Sequence, residues 1–198
     1  MKKYLLLIVS IIMFASILES YSQSCCPSGY TPVTLNGLVN TASGCEYSIT
    51  YCYFFLPSGT REVFICDITI DLTQSYSFSN FKLNSSFWVE AMRYVFIDQN
   101  IVDEFDECTE VGEPSNVLVN IRKAKCFKVV TDVILDIVKV VPCEEEPGDC
   151  VTYYKVCRDG INLITEILSG PTLTGSESNS GANIGILTLG GNCYNSCE

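Results

Sequence analysis

Twelve cysteines and twenty-three carboxylates carry most of the chemical potential of this chain, and no histidine accompanies them. Without imidazole, Ser-His-Asp and Cys-His nucleophilic catalysis, histidine-ligated zinc or iron and histidine pH switches are all excluded. Asp, Glu, Lys, Arg, Tyr, Ser and Cys remain as catalytic vocabulary. The cysteines are Cys25, Cys26, Cys45, Cys52, Cys66, Cys108, Cys126, Cys143, Cys150, Cys157, Cys193 and Cys197. No C-x-x-C knuckle occurs among them, so their even number reads as a disulfide framework rather than a zinc site. C-x6-C recurs at 45–52 and 150–157. A strand of that length holds its end cysteines roughly 23 Å apart, whereas a disulfide needs Cβ atoms about 3.8 Å apart. If both segments are strands, each cysteine must bond to a different element.

The carboxylates suggest two further chemistries. Asp67 and Asp71 share one face of a strand-like stretch, four residues and roughly 13 Å apart along the backbone. Glycosidase pairs sit about 5 to 9.5 Å apart, so this pair reads as a solvated outer face. Between residues 98 and 113 lie seven acids and no basic residue. Calcium takes six to eight oxygen ligands, which makes Asp98, Asp103, Glu104 and Asp106 weak candidates for an irregular site. As an EF-hand the segment fails: Val102 would hold a ligand position, Asp103 the glycine position and Thr109 the final glutamate position. A polar connection ending at Pro114 is the plainer reading, and apart from calcium no cofactor is expected. Dinucleotide, P-loop, zincin and nucleophile-elbow motifs are absent from the sequence. Tyr47, Tyr51, Tyr53, Phe54 and Phe55 offer a ligand-binding face or, more simply, core.

At the start, Lys2 and Lys3 precede an apolar run over 4–18 and small polar residues at Ser20 and Ser22. That order predicts a cleaved secretory signal over 1–22. The mature chain of 23–198 then has 10 basic and 22 acidic residues, a net charge of −12. So acidic a chain lacks the cationic footprint for nucleic acid and is repelled by anionic lipid surfaces. The most apolar later stretch, 126–141, contains Lys128, Asp132, Asp136 and Lys139, so no transmembrane segment is expected in the mature protein.

These residues must be positioned by a mainly β domain, with α+β as the alternative class. Strands are predicted over 31–40 and 45–56, a turn at 57–60, and a third strand whose Phe64, Cys66, Ile68, Ile70 and Leu72 share a face. Ser86 is placed to cap a helix over 87–100 with Trp88, Met92, Val95 and Phe96 on its apolar stripe and Glu90, Arg93 and Gln99 off it. Val117, Val119 and Ile121 alternate, and a β-rich run spans 127–141. A hairpin is expected with Cys143 and Cys150 flanking its turn, then strands at 161–168 and 184–189, a loop between them over 169–181, and a chain end pinned by Cys193 and Cys197. The whole is a single antiparallel, disulfide-stapled sheet or sandwich with one helix.

The blocks CCPSGY, GCEYSITYCY and PCEEEPGDCVTYYKVCRDG followed by SGPTLTGS resemble a group of uncharacterised, cysteine-rich secreted proteins of Bacteroidetes-type bacteria. The resemblance implies a secreted, periplasmic or outer-surface location in a Gram-negative cell and transfers no activity and no functional residue. The expected function is a non-catalytic structural or binding component, self-assembling or held in an envelope complex by protein partners. A histidine-free carboxylate-dependent hydrolase and a secreted inhibitor or ligand-capturing module are the alternatives.

Overall fold

The computed structural model describes residues 25–71, 81, 83–108, 117–124, 126–132, 137–143, 148–174 and 193–195. The signal read over 1–22, the strand expected at 184–189 and most of the stretch 73–86 lie outside the described residues. Nine strands are described: β1 (Thr31–Val39), β2 (Glu46–Phe55), β3 (Arg61–Asp71), β4 (Val117–Ala124), β5 (Cys126–Asp132), β6 (Ile137–Pro142), β7 (Asp149–Asp159), β8 (Asn162–Thr174) and β9 (Cys193–Asn195). They form one open sheet, mainly β as expected, with helix α1 (Ser85–Val102) between β3 and β4 in sequence. Its order is β8-β7-β4-β3-β6-β5-β9, and β2 followed by β1 lies along the other edge of β3.

Every pairing is antiparallel except that of β3 with β4. A parallel pair cannot be closed by a tight turn and needs a long crossover, usually through a helix. Here α1 lies in that crossover. The antiparallel sheet expected from the sequence therefore contains one β-α-β step.

Strand β3 organises the rest. Thr50 pairs with Asp67 and Tyr51 with Ile65, so Cys66 is an extra residue in the ladder. A bulge of this kind reverses the inward and outward alternation. The face predicted as Phe64, Cys66, Ile68 and Ile70 is corrected accordingly: Val63 and Ile65 before the bulge, and Ile68 and Ile70 after it, enter the core, while Phe64 is only half-buried. The free edge of β3 changes partner at the same place. Residues 61–65 pair with β4, and residues 68–71 pair with β6. The sheet thus forks into an arm of β4, β7 and β8 and an arm of β6, β5 and β9.

Helix α1 covers both arms. Trp88 lies 5.7 Å from Phe127 of β5, and Phe96 lies 5.2 Å from Tyr154 of β7, ring centroid to centroid. Phe87 packs at 5.2 Å on Tyr47 of β2 between them. The predicted stripe of Trp88, Met92, Val95 and Phe96 is buried throughout. Two details differ. Asn84, not Ser86, is the N-cap, its Oδ1 accepting from Phe87 N at 3.0 Å, so the helix begins at Ser85. Gln99, expected off the stripe, is fully buried and donates through Nε2 to Tyr51 Oη at 2.9 Å.

The helix also runs to Val102, because Arg61 reaches its end from β3. Arg61 Nη1 donates to Gln99 O at 2.8 Å, a carbonyl that also accepts from Asp103 N at 3.1 Å, and Nη2 donates to Asp103 O at 2.6 Å, just past the helix end. Its guanidinium lies 4.0 Å from the Phe105 ring centroid.

The expected hairpin around Cys143 and Cys150 does not form. β6 is inserted between β3 and β5, whereas β7 joins β4 and β8 on the other arm. Each strand completes a different side of the fork, and a shared ladder would leave one arm unclosed. The apolar run at 127–141 is in fact the β5–β6 hairpin. β8 extends to Thr174, through the start of the predicted loop at 169–181. β9 pairs with β5 and so fastens the chain end.

Arg61→Ala should lower unfolding free energy by about 3 to 5 kcal/mol, because it leaves a buried void and removes the hydrogen bonds that tie the end of α1 to β3. Arg61→Lys should recover less than half, since an ammonium cannot span both carbonyls. Urea denaturation of the two variants beside the parent checks both values.

Candidate functional site

The acidic connection is held by two arginines rather than gathered around one point. Asp103 pairs with Arg61 at 3.1 Å, and Glu104 and Glu107 both pair with Arg158 of β7. Arg158 also donates from Nε to Phe105 O at 2.6 Å and from its backbone N to Asp106 O at 2.9 Å. Asp98 accepts from the Tyr51 hydroxyl. Of the four calcium candidates, Asp98, Asp103 and Glu104 are therefore turned to separate partners, and Asp106 is held through its backbone carbonyl. Among the described residues they do not converge into a ligand group. The Cys108–Cys157 disulfide completes this strap, with Cα atoms 5.0 Å apart. Cys108 N donates to Arg158 O at 2.7 Å beside it.

Asp67 sits at the bulge, half-buried, where Thr69 Oγ1 donates to it at 3.4 Å. Burial pushes its carboxyl above the usual range, while Thr50, Lys139 and Thr69 pull it back. The solvated face predicted for this residue is thus partly covered, and the Asp71 side chain lies outside the described set. Of the aromatic group at 47–55, Tyr47 and Tyr51 are core, Tyr53 is half-buried, and Phe54 and Phe55 are exposed. Burial pushes the Tyr47 and Tyr51 phenols well up, with Asp98 adding to the effect at Tyr51.

The other disulfides fasten the start of the domain. Cys25 bonds Cys66 and Cys26 bonds Cys52, with Cα separations of 5.6 and 5.7 Å. Cys143 and Cys150 are disulfide-bonded as well. Neither C-x6-C segment closes on itself, as the strand geometry required, since Cys52 and Cys157 bond elsewhere. Cys52 and Cys66 are fully buried, under the half-buried Cys25 and Cys26.

At the opposite end of the sheet, β8 pairs with β7 on one side and with no strand on its other side among the described residues. It carries apolar side chains into solvent on both faces. Ile167, opposite Tyr154 on the helix side, is 57% exposed, and Ile164, opposite Cys157 on the other, is 47% exposed. Leu168 is 49% exposed and Ile161, in the preceding turn, 100%. Leu163 of the same strand packs against the edge of the core, and among the described residues Ile164, Ile167 and Leu168 remain exposed. Beyond Ile167 the ladder is bulged, and Gly170 (φ 103°) and Pro171 follow. Bulges and proline blunt an edge, which leaves residues 162–167 as its regular part. Glu166 is the single charge in β8. Sequence reasoning found the strand but not its position at the edge.

No helix among the described residues is long and apolar enough to cross a membrane. Comparison of the chain with family models, with curated proteins and with solved structures finds no match.

Among the described residues one buried charge, that of Lys123, forms no ion pair. Lys123 of β4 sits at the fork with Nζ 4.3 Å from the Trp88 ring centroid. Burial pushes its amine down to about 8. On unfolding the amine returns to about 10.4, so between about pH 8 and 10 the unfolded chain binds more protons and stability rises with pH. Above about pH 10 the buried tyrosines reverse the slope, since their unfolded phenols ionise first. Lys123→Met should remove the rise and add about 2 kcal/mol at pH 7, the Trp88 contact offsetting part of the desolvation. Denaturant titrations of both proteins at pH 7 and 9.5 check the sign and the size.

Proposed function

We propose that this protein is an exported, non-catalytic structural component that assembles with further copies of itself through the edge of β8. The observation that carries this reading is the 13-residue strand at the end of the sheet, apolar on both faces and nearly free of charge. An exposed edge offers backbone donors and acceptors to an incoming strand, and the flanking isoleucines give that strand something to bury. A mature chain with net charge −12 is self-repelling, yet the 162–167 segment contains only Glu166. Contact between copies is therefore least opposed at this edge.

An export signal over 1–22, at least three disulfides and the resemblance to secreted cysteine-rich proteins support a place outside the cytoplasm, in the periplasm or on the outer surface. Bridges closing 26 to 49 residues typically add about 2 to 4 kcal/mol each, which suits a component exposed to harsh surroundings.

Size-exclusion with light scattering and electron microscopy of the disulfide-intact protein test the reading. The parent should form oligomers or filaments at micromolar concentration. Ile164→Lys with Ile167→Lys should raise the concentration needed at least tenfold and leave the circular dichroism unchanged, since both side chains are solvent-facing. A parent protein that stays monomeric to millimolar concentration would rule out self-assembly.

A further inference from the structure

The two disulfides at the start of the domain are not separate bridges. Cys52 Sγ lies 3.2 Å from Cys66 Sγ, although these sulfurs belong to different disulfides, and Cys26 Sγ lies 4.0 Å from Cys66 Sγ. The sulfurs of Cys25, Cys52 and Cys66 are all within 4.8 Å of one another. Four sulfurs thus occupy one small volume. A tetrahedral ion with metal–sulfur bonds of about 2.3 Å holds its ligand sulfurs roughly 3.8 Å apart, a value inside the range seen here. We propose that Cys25, Cys26, Cys52 and Cys66 have a second, reduced state: a tetrathiolate site for one soft divalent cation of the zinc or cadmium class.

The scaffold suits this second state because contacts other than the bridges also place these cysteines. Cys52 and Cys66 are placed by the β2–β3 ladder, which runs from Tyr47–Ile70 to Phe55–Arg61 and is covered by α1. Cys25 and Cys26 are returned to the same spot by a turn, Tyr30 N donating to Pro27 O at 3.2 Å, and by β1, whose pairing with β2 starts at Thr31 and Tyr53. Breaking the bridges therefore leaves each thiol close to its present position. Cys66, the extra residue of the bulge, follows the inward-facing Ile65 as Cys52 follows the inward-facing Tyr51, so both sulfurs lie away from the helix and 3.2 Å apart. Access is from the half-buried side formed by Cys25 and Cys26. The Cys108–Cys157 bridge belongs to no such group among the described residues.

The chemistry balances with a monothiol as reductant. Each disulfide accepts two electrons from two thiol molecules, which leave joined as one disulfide, so four thiols release four protein thiols and two small disulfides. Coordination of the cation then displaces four protons and forms four metal–sulfur bonds. Thiolate ligands select soft or borderline ions over magnesium and calcium.

The test uses the full mature chain, reduced with excess monothiol in the absence of oxygen and titrated with cadmium ion. Bound cadmium is read by the ultraviolet thiolate-to-metal absorption and by metal content after gel filtration. Alkylation of each cysteine is then mapped by mass spectrometry. One tightly held ion is expected, with alkylation of Cys25, Cys26, Cys52 and Cys66 slowed at least tenfold while Cys108 and Cys157 stay reactive. C25S/C26S should lose the ion and C108S/C157S should keep it. The proposal is overturned if the reduced parent takes up no ion, if C25S/C26S retains it, or if cadmium leaves alkylation of the four cysteines unchanged. The footprint on the parent chain decides the matter even where a variant fails to fold.

Discussion

At Cys66, strand β3 takes one more residue into its ladder than β2 supplies, and much of the molecule follows from that mismatch. The extra residue reverses which side chains face the helix, so that Ile65 and Ile68 both reach the core although their spacing in an unbroken strand would place them on opposite faces. It also bends the strand, because a bulge increases local twist. A bent β3 cannot keep one neighbour along its whole free edge, and the edge is shared between β4 and β6. A sheet that divides in this way exposes the junction between its arms. Helix α1 closes that junction with Trp88 against one arm and Phe96 against the other.

Charge is handled by the same geometry. The segment that follows α1 carries most of its charge as carboxylates, and self-repulsion would push it away from the sheet. Arg61 draws in its first part from β3, and Arg158 draws in the rest from β7. Arg61 gives up solvation to do so, and burial lowers its affinity for a proton, an effect that Asp103 and Asp106 offset only in part. Its hydrogen bonds to the helix end offset that loss, since buried charges persist only when paired and hydrogen-bonded. The loop at residues 40–44 is fastened to the other end of α1 in a related way: Thr41 N and Asn40 Nδ2 donate to Glu90, at 3.0 and 3.1 Å.

Cross-linking and exposure are distributed unevenly. The start of the domain is tied to β2 and β3 by two adjacent disulfides, and the end of the acidic strap is tied to β7 by a third. β8, beyond these attachments, leaves Ile164, Ile167 and Leu168 exposed while Leu163 packs against the core. A protein that needed only to be stable would cover or charge such an edge.

Local chemistry was enough to mark the class of fold and many of its elements. β-Branched and aromatic composition marked β1 and β2, alternation marked β4, the Trp88, Met92, Val95 and Phe96 spacing marked the buried face of α1, and the C-x6-C spacing argued against bridges within a strand. These are properties of contiguous residues, set by side-chain period and backbone reach. Tertiary structure decided what depends on partners distant in the chain. The inward turn of Gln99 required Tyr51, 48 residues earlier, and the extension of α1 required Arg61, 38 residues before Gln99. The bulge at Cys66 arises from the register between two strands, which no single stretch encodes. The grouping of four cysteines, and the dispersal of four carboxylates that the sequence had placed side by side, followed for the same reason. Sequence spacing reports which face of an element a residue lies on, and packing alone reports what meets that face.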